Sequence, residues 1–403
     1  MPTTDEPIGT TSSRTLTYAA YVSFVPIGIA TVLLGSMLPI LSARWSFNYS
    51  QSGALFDAQY FASTCSVALS GVLAARWGFR FPMKVGLVLM ALGLAFLLSG
   101  SKALGILCIA AYGGGLGLAV PAANLLVAAA NPGRRSAALN FLNFFWSAGA
   151  VACSPLVSAS AKSQHIPVFL ACVSGFSMLI AAGIALMPAG IKEPAASRED
   201  VPVLPLIREK RQAFLILAVL FFLYVGVENG FGQWIASYSK GLGTLTLAIA
   251  LATPTFFYAS LTLGRWLSPA LLRILDEIRL VRAGLLLALA GIAGLMLSRY
   301  LVGIVLSACI AGLGLSCVYP ITIALLAHEF GPGSTKLGSV MFVLSNIGGG
   351  LLPWFVGVAS NRAGTIRTGL AIPLVGCAAM FGLFLRNWST SGSAQRAPNA
   401  EPA

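Results

Sequence analysis

The chain has 403 residues, of which 57% are hydrophobic and only 9% charged, and its formal net charge is +13 at neutral pH. A soluble domain carries about 25% charged residues, so this composition excludes an ordinary soluble protein. The excess of Lys and Arg does not indicate a nucleic-acid-binding surface, because the basic residues are spread between long apolar runs.

Twelve apolar runs are each long enough to cross a bilayer, which takes about 20 residues in a helix. The predicted spans, numbered 1 to 12 in chain order, are 18–42, 53–75, 84–100, 104–131, 137–160, 166–189, 212–238, 245–268, 280–297, 301–327, 336–360 and 367–386. The seven cysteines all lie inside these runs, which favours small core residues over disulfides or a zinc site. The sequence therefore predicts an all-α membrane protein that needs no cofactor and no metal.

Lys and Arg residues in short connecting segments indicate which side of the membrane each segment faces. With the N-terminus placed inside, 18 of the 25 basic residues fall in inner segments and 7 in outer segments. The outer seven are Arg44, Lys102, Lys162, Lys240, Arg299, Arg362 and Arg367. We therefore expect a multi-pass protein of the inner (plasma) membrane, with cytoplasmic tails at 1–17 and 388–403.

A charged, proline-containing stretch at 190–211 separates six predicted spans from six, and we expect it to be a cytoplasmic linker. Glycine and proline residues recur on either side of it at a near-constant separation. The matched pairs are Gly115 and Gly312, Pro121 and Pro320, Gly149 and Gly348, and Pro155 and Pro353, at separations of 197, 199, 199 and 198 residues. Parallel six-span halves are an architecture of secondary transporters, so we expect two pseudo-symmetric six-helix bundles at 18–189 and 212–387.

The loop between spans 2 and 3 carries a motif. Residues 71–80 read Gly-Val-Leu-Ala-Ala-Arg-Trp-Gly-Phe-Arg, which resembles the Gly-x-Leu-Ala-Asp-Arg-x-Gly-Arg-Lys signature of the major facilitator superfamily. A degenerate copy lies at the equivalent place in the second half. The resemblance implies the major facilitator fold and gating roles for Gly71, Arg76, Gly78, Arg80, Gly264 and Arg265. The signature's Asp is Ala75 here, so the latch between the halves is expected to be weaker or built otherwise.

Two further stretches resemble the fucose–proton symporter branch of the superfamily. They are Pro121-Ala122-Ala123-Asn124 with the asparagines that follow it, and Tyr224-Val225-Gly226-Val227-Glu228 with Trp234 and Tyr238. The resemblance implies a proton-coupled sugar transporter. In that branch, fucose permease carries an acidic residue in span 1 and another in span 4, whereas span 1 here has none and span 4 offers Asn124. The coupling residues of this chain must therefore be sought elsewhere.

Glu228 is the main candidate for ion coupling. It lies in span 7, where glycines at 226, 230 and 232 allow the helix to bend or open. An ionised carboxylate in hydrocarbon is costly, so such a residue faces a protein interior or an aqueous cavity and marks a pathway or relay. The alternative is structural, with Glu228 holding the bundle together through a buried hydrogen bond. The coupling ion is a proton or Na⁺, since carboxylate oxygens bind both.

Asp57, in span 2, is the other acidic residue inside an apolar run. It lies about 6 Å along the helix from Gly53, at 1.5 Å per residue, and so falls close to the membrane surface. A role in ion coupling and a role in the outer vestibule or in the structure are both open for Asp57.

Amide, hydroxyl and aromatic side chains inside the spans are the candidates for solute binding: Asn124, Asn143, Tyr224, Asn229, Gln233, Trp234, Tyr258 and Asn346. Each amide has four hydrogen-bonding valences that lipid cannot satisfy, and amides facing one cavity suit a polyhydroxylated ligand. The small number of charges predicted in the cavity favours a neutral solute. Trp234 could supply the apolar face on which a sugar ring rests, or it could anchor its helix at the membrane interface.

The sequence therefore predicts a monomeric secondary active transporter that moves a small neutral polar solute, foremost a monosaccharide, together with a proton or sodium ion by alternating access. The alternative within this class is a proton-driven exporter of amphipathic compounds, because the 23 Phe residues can build an apolar cavity. The sequence contains neither a His-Glu-x-x-His motif nor an ATP-binding loop, which disfavours an intramembrane enzyme and a primary pump. Duplicated halves around a buried carboxylate argue against a channel.

Overall fold

The structure, a computed structural model, describes residues 10–131, 134–187 and 203–385. Regular structure in these ranges is helical throughout. Most of the predicted linker at 190–211 and the whole predicted tail at 388–403 lie outside the described residues. The predicted N-terminal tail at 1–17 is described only from Thr10, where the first helix already begins.

Six long helices build the first bundle: α1 (Thr10–Trp45), α2 (Tyr49–Trp77), α3 (Arg80–Ala95), α4 (Lys102–Ala130), α5 (Arg135–Lys162) and α6 (Ile166–Leu186). Each matches one predicted span. Eleven helical segments of the described chain are long and apolar enough to cross a membrane. The predicted span 3 is not among them, because α3 has only 16 residues. It nevertheless lies along α4, where Gly86 faces Gly115 and Gly93 faces Cys108.

Four spans of the second bundle are each interrupted once. After α7 (Val203–Glu209), the bundle consists of α8 (Arg211–Gly232), α9 (Ile235–Gly241), α10 (Leu247–Ala252), α11 (Pro254–Leu271), α12 (Glu277–Leu297), α13 (Leu301–Leu315), α14 (Val318–Phe330), α15 (Ser334–Ala363), α16 (Ile366–Gly369) and α17 (Ala371–Phe384). The predicted opening of span 7 is confirmed, because α8 gives way to α9 at Gln233 and Trp234. Span 8 breaks before Pro254, whose missing N–H cannot continue the helical hydrogen-bond ladder.

Close glycine contacts repeat in the two bundles. A Cβ on Gly149 of α5 would collide with the Val25 carbonyl of α1, and one on Gly348 of α15 would collide in the same way with Phe222 of α8. This confirms the predicted match of Gly149 with Gly348. The match of Gly115 with Gly312 is wrong by two residues. Gly115 packs on α3, and the residue that packs on the corresponding helix α12 is Gly314, at a separation of 199 residues.

The two bundles meet tightly at one end and separate at the other. We name the end where α6 stops and α8 starts the linker end, and the opposite end the far end. In the far-end halves of α2 and α15, Gly53 lies against Trp354 and Gly357. In the linker-end halves of the same helices, nothing lies within 4 Å of a Cβ placed on Gly71 or Gly338. The molecule is therefore closed at the far end and open at the linker end.

The glycine contacts predict how α3 is held. In Gly93→Ala, the new Cβ would lie 2.5 Å from the Cys108 carbonyl oxygen and 2.7 Å from the Tyr112 nitrogen, so α3 and α4 must move apart. Overpacking of this kind costs about 1–3 kcal/mol. The matched control is Gly183→Ala on α6, where nothing lies within 4 Å and the higher helix propensity of Ala stabilises by up to about 1 kcal/mol. Thermal unfolding of the purified variants should show a lower Tm for Gly93→Ala and an equal or higher one for Gly183→Ala. Equal Tm values for the two variants would contradict the packing described for α3.

Candidate functional site

A partly buried ion pair joins two helices of the second bundle. Glu228 Oε2, on α8, lies 3.5 Å from a terminal guanidinium nitrogen of Arg265 on α11, and the two side chains are only 12% and 27% exposed. The same nitrogen donates a hydrogen bond of 3.2 Å to the Tyr224 hydroxyl. The guanidinium also lies 5.8 Å from the ring centroid of Trp146, which belongs to the first bundle. Arg265 therefore touches both bundles.

The sequence placed Arg265 in a degenerate gating motif near the end of span 8, and the residue lies in α11, six residues before the helix ends. Pairing there is physically favourable, because removing one partner of a buried ion pair leaves the other charge uncompensated at a cost of about 3–5 kcal/mol. The sequence analysis did not predict this contact. The two residues are 37 positions apart in different helices, and helical periodicity relates only residues of the same helix. One feature of the sequence could have indicated the pair: Arg265, whose charge is opposite to that of Glu228, lies within the predicted bounds of the neighbouring span 8.

Tyrosine side chains surround the pair. Tyr224 stacks on Tyr319 of α14, with ring centroids 5.2 Å apart. Tyr258 of α11 is buried within electrostatic range of Glu228, and its hydroxyl has no hydrogen-bond partner among the described residues. Buried polar atoms almost always have a partner in native proteins. The Tyr258 hydroxyl is therefore free for a bound solute or a water molecule.

One predicted solute-binding amide, Gln233, joins the two bundles in this structure. Gln233 accepts a hydrogen bond of 2.8 Å from the Gly35 N–H of α1, and its amide nitrogen donates to the Thr31 carbonyl at 3.2 Å. These two backbone groups are separated by four residues and form one rung of the α1 hydrogen-bond ladder. The Gln233 amide also donates to Asn229 Oδ1 at 3.0 Å. In this state Gln233 is part of the contact that closes the far end.

Trp234 also belongs to the contact that closes the far end. Its ring is fully buried, its Nε1 donates to the Pro353 carbonyl at 3.0 Å, and it packs against Phe56 and Tyr49 of α2. The interfacial-anchor alternative for Trp234 is therefore wrong, because an anchor must reach the lipid headgroups. The ring is also covered in this state, so it presents no face to a solute here.

The remaining amides keep acceptor capacity. Asn124 and Asn143 each donate to the carbonyl four residues earlier on their own helix, at 2.9 Å in both cases. An Asn side chain retains its carbonyl oxygen for another partner after such a bond. Asn124 is half-buried and Asn143 is exposed, and Asn346 is half-buried on α15.

Asp57 lies in the contact between the bundles. The side chain is half-buried, and its Oδ1 would lie 3.4 Å from a Cβ placed on Gly350 of α15. It has no hydrogen bond or ion pair with the described residues. One turn further along α2, Tyr60 lies beside Asn229 and Gln233. Asp57 is therefore on the path between the far end and the Glu228–Arg265 pair.

The predicted gating motif makes its described contacts within the first bundle. Arg80 donates to the carbonyls of Ile184 and Met187 at the end of α6, at 3.0 and 2.9 Å, and Arg76 lies over the Trp77 ring. Gly78 ends α2 with φ of 79°, a conformation that favours glycine. In the second bundle, Gly264 allows α11 to approach Ser316 closely.

No group of three or more His, Cys, Asp or Glu side chains that could hold a metal ion occurs among the described residues. The arrangement instead supplies a carboxylate beside a guanidinium, with the unpaired Tyr258 hydroxyl on the same helix as Arg265. Charged and hydroxyl groups of this kind can hydrogen-bond a polar solute.

The chain resembles known proteins over most of its length. The family model described as Major Facilitator Superfamily matches residues 20–353. Protein TsgA of Salmonella typhimurium is 26% identical over 305 residues, which cover 72% of each chain. The structure superposes on the nucleoside transporter NupG with a TM-score of 0.70 at 15% identity, over 93% of this chain and 98% of that one. For the fucose:proton symporter FucP of E. coli, in the outward conformation, the TM-score is 0.63 at 21% identity, over 93% and 99%.

The family match extends over more than half of the sequence, and the helical fold agrees with it along nearly the whole chain. The resemblance to the superfamily found in the sequence is therefore confirmed. The chain is a multi-pass membrane transporter that belongs to the Major Facilitator Superfamily.

Proposed function

We propose that this chain is a proton-coupled secondary active transporter of a small polyhydroxylated, sugar-like solute, working by alternating access in the inner membrane with both termini in the cytoplasm. The observation that carries the proposal is the Glu228–Arg265 pair, which is partly exposed and reaches the first bundle in a molecule closed at one end. With the orientation expected from the basic residues, the far end is external and the structure is an inward-open state.

Alternating access requires a seal that can open. At the far end the seal consists of the Gln233 contact with α1, the Trp234 contact with α2, and a hydrogen bond of 2.6 Å from Ser158 Oγ to the Ala248 carbonyl. On α8, Glu228 lies more than one turn from Gln233 toward the linker end. A solute bound beside Glu228 is therefore cut off from the far end until these polar contacts break.

Glu228 is suited to carry the proton. A carboxylate loses its negative charge when it binds one proton. In a site of low polarity, that change alters every neighbouring electrostatic interaction. Protonation removes the attraction to Arg265, and deprotonation restores it. Proton uptake by Glu228 therefore determines whether Arg265, which contacts both bundles, is paired with a carboxylate.

Side chains with spare hydrogen-bonding capacity support a polyhydroxylated solute. The Tyr258 hydroxyl and the Asn124 and Asn143 carbonyl oxygens are placed on three different helices. Solute hydroxyls both donate and accept, so they can satisfy such a mixed set. FucP, a fucose:proton symporter with the same fold, is consistent with this assignment.

One observation favours export of amphipathic compounds as the second candidate. Phe141 and Phe144 are exposed on α5 beside Asn143, and Phe342 is exposed on the linker-end half of α15. An apolar surface of this kind suits apolar ligands. Thermal-shift measurements with sugars and with amphipathic cations would separate the two, since a ligand raises the Tm only if it binds the folded state.

The proposed orientation can be tested by labelling. In a variant that lacks the native cysteines, single cysteines at Lys102 and Lys240 should react with an impermeant thiol reagent added to intact cells, because both positions are exposed at the far end. Cysteines at Arg134 and Arg279, exposed at the linker end, should react only after the cells are opened. The reverse pattern would overturn the orientation.

The proposed coupling role is tested with Glu228→Gln, which mimics the protonated side chain at nearly constant shape. In proteoliposomes, this variant should exchange labelled for unlabelled solute at a rate near that of the natural chain. It should lose accumulation driven by a pH gradient, because it carries no exchangeable proton. The matched control is Asp57→Asn, which makes the same chemical change in the other span that contains a buried carboxylate. If Glu228→Gln accumulates solute normally and Asp57→Asn loses accumulation, the coupling residue is Asp57 and not Glu228.

A further inference from the structure

We infer that the transported solute carries one carboxylate, and that it is a polyhydroxylated monocarboxylic acid of the sugar-acid class whose carboxylate binds Arg265 when Glu228 is protonated. This inference rests on the proposed function and replaces the neutral solute expected from the sequence. That expectation depended on a cavity with few charges, and it did not include Arg265.

Arg265 has unused donor capacity. A guanidinium has five N–H donors in a planar fork that matches a carboxylate. The described contacts of Arg265 are one hydrogen bond to Tyr224, one separation of 3.5 Å from Glu228, and the Trp146 ring, which uses no N–H donor. Strong guanidinium–carboxylate bonds are 2.7–2.9 Å long and are often bidentate. The Glu228 contact is therefore loose, and the guanidinium can accept a second carboxylate.

The net charge of the groups around Glu228 indicates which charge the solute carries. The described titratable groups that face Glu228 are Arg265 and the tyrosines Tyr60, Tyr224, Tyr258 and Tyr319. Tyrosines are neutral at physiological pH, so the site is neutral while the ion pair exists. When Glu228 takes up a proton, the site gains one positive charge.

That charge must be compensated before the carrier can close. An unpaired ion in an occluded site is strongly unfavourable. A neutral sugar would leave the Arg265 charge unpaired, and a doubly charged phosphate would leave an excess negative charge. A monocarboxylate restores neutrality with a single Arg265 contact. Proton and solute then cross together without net charge in the site.

The far end has the charge expected for the entrance of an anion. The seven basic residues assigned to that side are all exposed, and its connecting turns, which lie entirely in the described ranges, contain no acidic residue. Arg299 and Arg367 also border a cleft of about 380 Å³ together with Tyr238 and Tyr49. A surface with one sign of charge raises the local concentration of ions with the opposite sign.

The test compares solutes that differ in the carboxylate. Binding of glucose, galactose, gluconate, glucuronate and galacturonate to the purified full chain would be measured at about pH 5.5 and pH 7.5. Carboxylic acids of this kind ionise near pH 4, so their charge is the same at both values. The acids should bind about tenfold more tightly at the lower pH, because uptake of a proton by Glu228, which releases Arg265, is more favourable there. The neutral sugars should bind more weakly than the acids at both values.

Variants test whether the pH-dependent binding of the acids depends on the Glu228–Arg265 pair. Glu228→Gln should bind the acids tightly at both pH values. Arg265→Gln should lose the preference for acids over neutral sugars, and Arg265→Lys should retain part of it. The matched control is Arg279→Gln, which removes one positive charge from a side chain that is 76% exposed at the linker end and should leave binding unchanged.

The outcomes are distinguishable. Tighter binding of neutral sugars than of acids would overturn this inference and leave the proposed sugar transport intact. An unchanged preference for acids in Arg265→Gln would also overturn it, and so would binding by Glu228→Gln that still depends on pH. If Arg265→Gln does not fold, Glu228→Gln and Arg265→Lys still decide the question. Binding of neither class by the natural chain would overturn the proposed function together with the inference.

Discussion

The ion pair between Glu228 and Arg265 is the interaction on which the interpretation of the whole molecule depends. Charges in a membrane protein are expensive to bury, and a pair remains tolerable only while each member has its partner. The pair lies between two helices of one bundle, and Arg265 reaches the Trp146 ring of the other. Arg265 therefore connects an interaction inside one bundle with a contact between the two bundles.

The seal at the far end is made largely of polar contacts. Gln233 bridges two backbone groups of α1, and Gly35 provides the space, because a Cβ there would collide with the Gln233 side chain. Because the two α1 groups form one rung of the helical ladder, they keep each other as partners when Gln233 leaves. Opening this contact therefore leaves neither α1 backbone group unsatisfied. The break between α8 and α9 is what brings Gln233 into this position.

The fold and the residues of the site were predictable to different degrees. The apolar runs and the repeated glycines and prolines predicted twelve spans in two related bundles, and the helices follow these spans closely. The glycines of span 7 predicted its interruption. By contrast, Gln233 and Trp234 were expected to bind solute, and in this structure they lie in the contacts that close the far end. Both are large polar or amphipathic residues within a span, and that pattern alone cannot distinguish a ligand contact from a contact between bundles.

The sequence by itself determined the membrane environment and the helical spans, which follow from the cost of placing polar groups in hydrocarbon. It also indicated the duplication, through the repeated glycines and prolines. Only the tertiary structure decided the partner of Glu228, the closed end and the groups left unpaired around the site. These depend on how helices far apart in the chain approach each other. Periodicity along one helix specifies the face that is buried, but it does not specify which residue of another helix meets that face.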